Sequence, residues 1–436
     1  MAVRVWASVV AAILSAALTV GISKTLVDTA VGARLSEPSD HDRVSLPPAP
    51  TSTAGPVSTT SITPPDPAAN VLSAVQIAAP SPSDAPALAA RTEPVVAPPG
   101  DGRLELVDTI TGEITPKSVV HLPDGRLLAQ NMMYRHTVTV YGPDRNLIAT
   151  IADEVRLDEL GVSGFGAESH SGAPVEAVAT RDGRTAFVSN YKMYGPGFDR
   201  PGTDSCSGEG WDDSFVYRID LERYEIVDAI RVGAVPKFLA LSPDEQTLLV
   251  TNWCSSDLSV VDVAAGEEMA RVPIGRHPRG VAIDPAGTTA FVAVMGGRDV
   301  VRVDLRDLTR TWLVDIGASP RHLVMAPDGS ALYVSLNAEG AVVKLDPSSG
   351  ARLGRVATGA APRSMVLSAD GESLYVTNYD SNTLSTIETA TMTEVQEVAT
   401  GHHPIGVTTD PRSGEVWVAN YSGSIMVFAP TGDPLE

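Results

Sequence analysis

The sequence predicts an all-β protein, a seven-bladed β-propeller of four-stranded blades over residues 101–432, and three observations predict it: a proline-marked repeat of 42 residues, turn chemistry at a fixed offset in each repeat, and a last repeat without its fourth strand.

The markers are Pro116, Pro174, Pro236, Pro278, Pro320, Pro362 and Pro404, of which the last five are spaced 42 residues apart. Eight residues after each comes a turn centre: Asp124, Asp182, Asp244, Ala286, Asp328, Asp370 and Arg412. Pro123-Asp124-Gly125 and Pro327-Asp328-Gly329 show the chemistry, a φ-locked proline, an Asx acceptor and a glycine free to take positive φ. A β-branched and aromatic strand follows, ending in asparagine, as in Phe187-Val188-Ser189-Asn190, Leu249-Val250-Thr251-Asn252 and Trp417-Val418-Ala419-Asn420. A third, alternating strand (Leu258-Ser259-Val260-Val261-Asp262) and a fourth ending at glycine complete the unit.

The last unit runs out near Phe428. Its missing strand lies at the other end of the region. Val107-Asp108-Thr109-Ile110 precedes Pro116-Lys117 at the spacing with which Val227-Asp228-Ala229-Ile230 precedes Pro236-Lys237. Leu104–Ile110 is therefore expected to close blade 7 as its outer strand, removing the open edges that a linear array would leave.

Tyr375-Val376-Thr377-Asn378, with the Gly-x-x-Pro and Pro-Asp-Gly spacings around it, resembles the YVTN-repeat β-propeller family, and more distantly the repeat is similar to lactonase-type propellers. The resemblance spans about residues 101–430 and implies an extracytoplasmic seven-bladed propeller. It implies little about activity, because one fold carries many functions.

Blades 1 and 2 exceed the period. The surplus of blade 2 lies between Asn190 and Asp220 and holds Cys206; the other cysteine, Cys254, opens the corresponding loop of blade 3. Neighbouring blades place these loops side by side, so a Cys206–Cys254 disulfide is expected, the alternative being two free thiols. The insertion is acidic (Asp199, Asp204, Glu209, Asp212, Asp213), which leaves a solvated loop or a calcium site open; its spacing is not that of an EF-hand, and no metal site is assigned.

The residue after each marker proline opens the innermost strand. These are Lys117, Val175, Lys237, Arg279, Arg321, Arg363 and Ile405, five of seven basic in a chain of net charge −21. Pointed into the channel mouth, they form a cationic ring suited to a carboxylate, phosphate or sulfate. The same face is expected to carry Tyr191, Trp253, Tyr379 and Tyr421, each after its strand-end asparagine, with His277 and His403 before their prolines and His322 after Arg321. Cations among aromatics suit an anionic small molecule, a glycan or a surface protein. The bland alternative is that the basic residues hold neighbouring loops and the aromatics pack between blades.

The runner-up function is a lactonase-like hydrolase or a quinone-associated oxidoreductase component. It needs His170, Glu176, His277, His322 and His403 to converge, with Glu168 and Ser169 nearby. The adjacent pair His402-His403 is a weak metal or base candidate. No His-Glu-x-x-His, nucleophile elbow or phosphate loop is present, and neither catalytic residues nor a cofactor are assigned. The acidic charge argues against a nucleic-acid partner. A monomeric propeller is expected.

Ahead of the repeats, Arg4, an apolar run from Val5 to Ile22 and Lys24 read over residues 1–24 as a signal anchor or a signal peptide, with Val31-Gly32-Ala33 as a distant cleavage candidate and no cysteine for a lipoprotein anchor. Residues 25–100, rich in Pro, Ala, Ser and Thr, read as a disordered spacer reaching about 45 Å as a coil. Both N-terminal readings place the propeller outside the cytoplasm, contacting the membrane through the N-terminal segment only.

Overall fold

The computed structural model describes residues 103–431; the expected anchor or signal and the spacer lie outside the described residues. Every regular element among those residues is a β-strand, and the strands form seven antiparallel sheets. The innermost strand of each sheet touches those of both neighbouring sheets, and Pro116–His121 touches Pro404–Thr409, so the ring closes. The chain is a seven-bladed β-propeller.

Closure is made as the last repeat requires. Leu104–Ile110 pairs antiparallel with Ser424–Pro430, from Leu104 opposite Pro430 to Ile110 opposite Ile425. The Gln396 side chain of blade 6 clamps that strand, accepting from the Leu104 N–H at 2.7 Å and donating to the Leu104 carbonyl at 2.9 Å. Arg412, which stands where most blades have the turn aspartate, donates to the Asp124 carbonyl of blade 1 at 2.8 Å and ties the seam a second time.

Alternation along each strand puts apolar side chains on both faces of a blade, and they meet those of its neighbours. The core is accordingly a set of interfaces between adjacent blades. Phe291 of blade 4 packs with Leu332 and Val334 of blade 5; Tyr375 of blade 6 packs with Val416 and Val418 of blade 7, joined by Leu104. Burying a side chain of this size is worth about 1.5–3 kcal/mol.

Four of the buried asparagines at the ends of the second strands, Asn131, Asn252, Asn378 and Asn420, donate to side chains of the third strand. Asn378 Nδ2 donates to Thr383 Oγ1 at 3.0 Å and Ser385 Oγ at 2.7 Å, fastening the third strand to the second. The hydroxyl one residue earlier reaches the next blade. Ser189 donates to the Lys237 carbonyl at 2.8 Å, and Thr251 to the Arg279 carbonyl at 2.6 Å. These bonds latch the backbone of the basic ring from the preceding blade.

Blade 2 departs from the expected pattern in two ways. Glu154–Val155 adds a short fifth strand, pairing with Ser171 and His170. Tyr191–Tyr194, expected in a loop, continue the second strand, Thr185–Tyr194, with Tyr194 opposite Ser171. The cause is a small core of its own: Val155, Leu157, Met193, Phe198 and Phe215 bury one another, which a bare loop could not do.

Candidate functional site

The mouth is built from one local device. In all seven blades the register of the innermost strand against the second shifts directly after the marker proline, so one extra residue bulges out. In blade 1 that residue is Lys117; in blades 3 to 6 the basic residue and the one after it together face a single residue of the second strand. A bulge bends its strand and re-aims the side chain, here toward the channel. In blades 3 to 7 the residue before the proline takes positive φ, 60° at His277 and 55° at His403, turning the chain from the face into the inner strand.

The structure brings the five cations together but gives them two environments. Lys117 Nζ lies 3.3 Å from Glu176 Oε1 of blade 2, both side chains being buried. Burial lowers the Lys117 ammonium to about 7; Glu176 opposes this, while the charges of Arg279, Arg321 and Arg363 add to it. Lys237 Nζ lies 2.8 Å from Asp204 Oδ1, with the rings of Tyr191 and Trp253 at 4.2 and 5.3 Å. Burial and Arg279 pull Lys237 well down against the attraction of Asp204. Burial raises Asp204, but Lys237 and Arg279 more than offset it and hold that carboxyl below its usual range.

The Cys206–Cys254 disulfide is formed, with the Cα atoms 5.3 Å apart. It fixes the insertion two residues from Asp204, whose carbonyl accepts from Trp253 Nε1 at 2.9 Å. Two other insertion carboxylates are engaged separately. Asp213 forms a two-bonded pair with Arg271 at 3.0 Å, and Asp212 accepts from the Arg200 N–H. Among the described residues no group of three or more metal-ligating side chains forms.

Arg279, Arg321 and Arg363 have no such carboxylate among the described residues. Arg279 is 4% exposed; its guanidinium faces Trp253 and Phe238 at 5.6 and 5.8 Å, and its Nε is buried without an acceptor. Arg321, 5% exposed, donates only to the sulfur of Met295, a weak acceptor, at 3.4 Å. Arg363 lies over Tyr379, its guanidinium carbon 3.4 Å from the ring centroid, with its Nε likewise unpartnered. Burial pulls all three guanidiniums down, Arg279 to about 10, which leaves it charged at neutral pH.

The aromatics form two stacks beside the cations. His277 lies on Trp253 with the rings 4.2 Å apart and 1° from parallel. His403 lies on Tyr379 at 4.0 Å, with His402 on its other side at 3.6 Å and Tyr421 edge-on to Tyr379 at 6.4 Å. Beneath the ring, the channel holds a cavity of about 190 Å³ lined by Ser118, Glu176, Phe238, His322, Ser364 and Gly406, each the second residue after its proline.

Of the acid–base constellation of the runner-up function, Glu176 and His322 line the same cavity, and His170, His277 and His403 do not line it. His170 sits in the blade 2 roof against Phe165 and Phe198, its Nε2 3.0 Å from the Pro196 carbonyl, and Ser169 donates to Glu154 rather than to a histidine. His322 Nδ1 accepts the Met365 N–H at 2.9 Å, a bond from blade 6 to blade 5; burial, then Arg321 and its cationic neighbours, lower this imidazole to about 3, so it stays neutral. No hydrogen bond joins any two of His170, Glu176, His277, His322 and His403.

Two contributors escaped the sequence reading. Phe238 packs against both Arg279 and His322, and its signal was available: it occupies the repeat position of Glu176 and His322. Asp204 as the partner of Lys237 had no signal, because the insertion has no counterpart in other blades.

No family model matches the chain, and no curated protein matches it. Among solved structures, a chain of Kuenenia stuttgartiensis hydrazine synthase is similar, with a TM-score of 0.58 and 19% identity over 74% of this chain and 98% of that one. At that identity the likeness shows the fold alone, and the likeness to YVTN repeats rests on the repeat residues.

Proposed function

We propose that the propeller is a binding module working outside the cytoplasm, and that its channel mouth takes an anionic group of a small molecule, a glycan or a surface protein. The single observation behind this reading is the set of three guanidiniums, Arg279 and Arg321 buried and Arg363 half-buried, with no carboxylate partner. Leaving charge unpaired in a desolvated place costs several kcal/mol. Such a cost is retained where a ligand supplies the counter-charge. The disulfide is compatible with an oxidising compartment. Among the described residues no helix is long and apolar enough to cross a membrane.

The test is an anion-induced thermal shift. Sodium citrate should raise the melting temperature of the protein beyond sodium chloride of equal ionic strength, by mass action on the folded state. The Arg279→Ala/Arg321→Ala variant should lose the excess and keep only the general salting effect of citrate. An equal excess in both proteins would contradict the proposal.

A further inference from the structure

The environments of the five cations divide them into two sets. Lys117 with Glu176 and Lys237 with Asp204 are each matched by one carboxylate. Arg279, Arg321 and Arg363 are unmatched, and they stand on three consecutive blades, 4, 5 and 6. Their backbones are fixed from neighbouring strands: the Arg279 carbonyl accepts from Thr251 at 2.6 Å and the Arg363 carbonyl from Ser335 at 3.4 Å. Two of the heads are held by ring faces. Stacking of a guanidinium uses the face of its plane and leaves the N–H edge, a rigid fork matched to the two oxygens of a carboxylate or phosphate, open for acceptors. The Nε atoms of Arg279 and Arg363 are buried and have no acceptor.

Size is limited as well. Arg279 and Arg321 are only 4% and 5% exposed, so a flat surface or a polymer lying across the face does not reach them. The stacks of Trp253 with His277 and of Tyr379 with His403 wall the mouth.

We propose that the mouth is a site for a small multivalent anion with at least two oxyanion groups, of the diphosphate or tricarboxylate kind. One oxyanion cannot serve forks on three blades, whereas two or three linked ones can. This deepens the anion-binding reading and rests on it.

Calorimetric titration of the full chain with acetate, inorganic phosphate, pyrophosphate and citrate, at one pH and one ionic strength, tests the inference. Pyrophosphate and citrate should bind at least about 100-fold more tightly than acetate, since each additional charge-assisted pair is worth about tenfold or more. The ranking of pyrophosphate against citrate separates a phosphate from a carboxylate preference within the same chemistry. Arg321→Met and Arg363→Met should each weaken pyrophosphate about tenfold or more, and Arg321→Lys, which keeps the charge and loses the fork, should weaken it less than Arg321→Met. Melting of each variant establishes that it folds. Four anions binding within about threefold of one another would overturn the multivalent site while leaving an anion site standing. No binding of any of them would overturn both.

Discussion

Lys117 and Lys237, on blades 1 and 3, each face a carboxylate, whereas Arg279, Arg321 and Arg363 hold the same repeat position on blades 4 to 6 and face rings or a thioether. The bulge that aims these residues is the same in every blade, so the repeat does not make the difference. Two acidic residues do. Glu176 comes from the second repeat position, and Asp204 comes from an insertion held by a disulfide. In one half of the mouth each cation has a carboxylate of the protein beside it; in the other half none does. A repeat position thus fixes where a side chain goes, and its neighbours fix what it can do there.

The largest expected effect comes from releasing the insertion. The Cys206–Cys254 bridge closes a separation of 48 residues, which chain-entropy arithmetic values at about 4 kcal/mol as an upper figure. Cys206→Ser/Cys254→Ser should lower stability toward that amount in urea unfolding. It should also loosen Asp204 from Lys237 and turn a matched cation into an unmatched one, so citrate binding should tighten. A full loss of stability with no change in citrate affinity would show that Asp204 keeps its place without the bridge.

Glu176→Gln comes next. It leaves Lys117 buried without its counter-charge, and breaking a buried pair costs about 3 kcal/mol. The sign of the pH effect follows from Lys117. Its folded value of about 7 lies below the ordinary 10.5, so between those values the unfolded chain binds the extra proton and stability rises with pH across that window. Without Glu176 the ammonium gives up its proton at still lower pH, so the penalty should be largest in mild acid and shrink toward pH 8. A penalty that does not vary with pH would place the role of Glu176 elsewhere.

The ring was largely legible before any coordinates. Period, turn chemistry and the incomplete last repeat lead to seven blades and to the closing strand, because each is a local signal repeated several times. The basic position was legible for the same reason. The matching of charges was not. Asp204 stands in an insertion that occurs once, where no periodicity can assign a neighbour, and it read as one acid among several. Glu176 read as an acid for chemistry because its distance to Lys117 depends on how adjacent blades stack. The bulge after each proline was invisible too, since register belongs to two strands at once. His322 followed a basic residue and suggested a base; its bond from Met365 belongs to the interface between blades. The hydroxyl latches from Ser189 and Thr251 lie inside the repeat wording itself and give part of it a structural reason.

The smallest effect is the most direct test of the central claim, that Arg279 and Arg321 are buried at a cost to the empty protein. Urea unfolding of the ligand-free Arg279→Met/Arg321→Met variant should show it to be more stable than the parent by at least about 1 kcal/mol, because apolar side chains replace desolvated, unmatched charges. A variant less stable than the parent would mean that the two arginines hold the ring together, and the unmatched half of the mouth would then be scaffold rather than site.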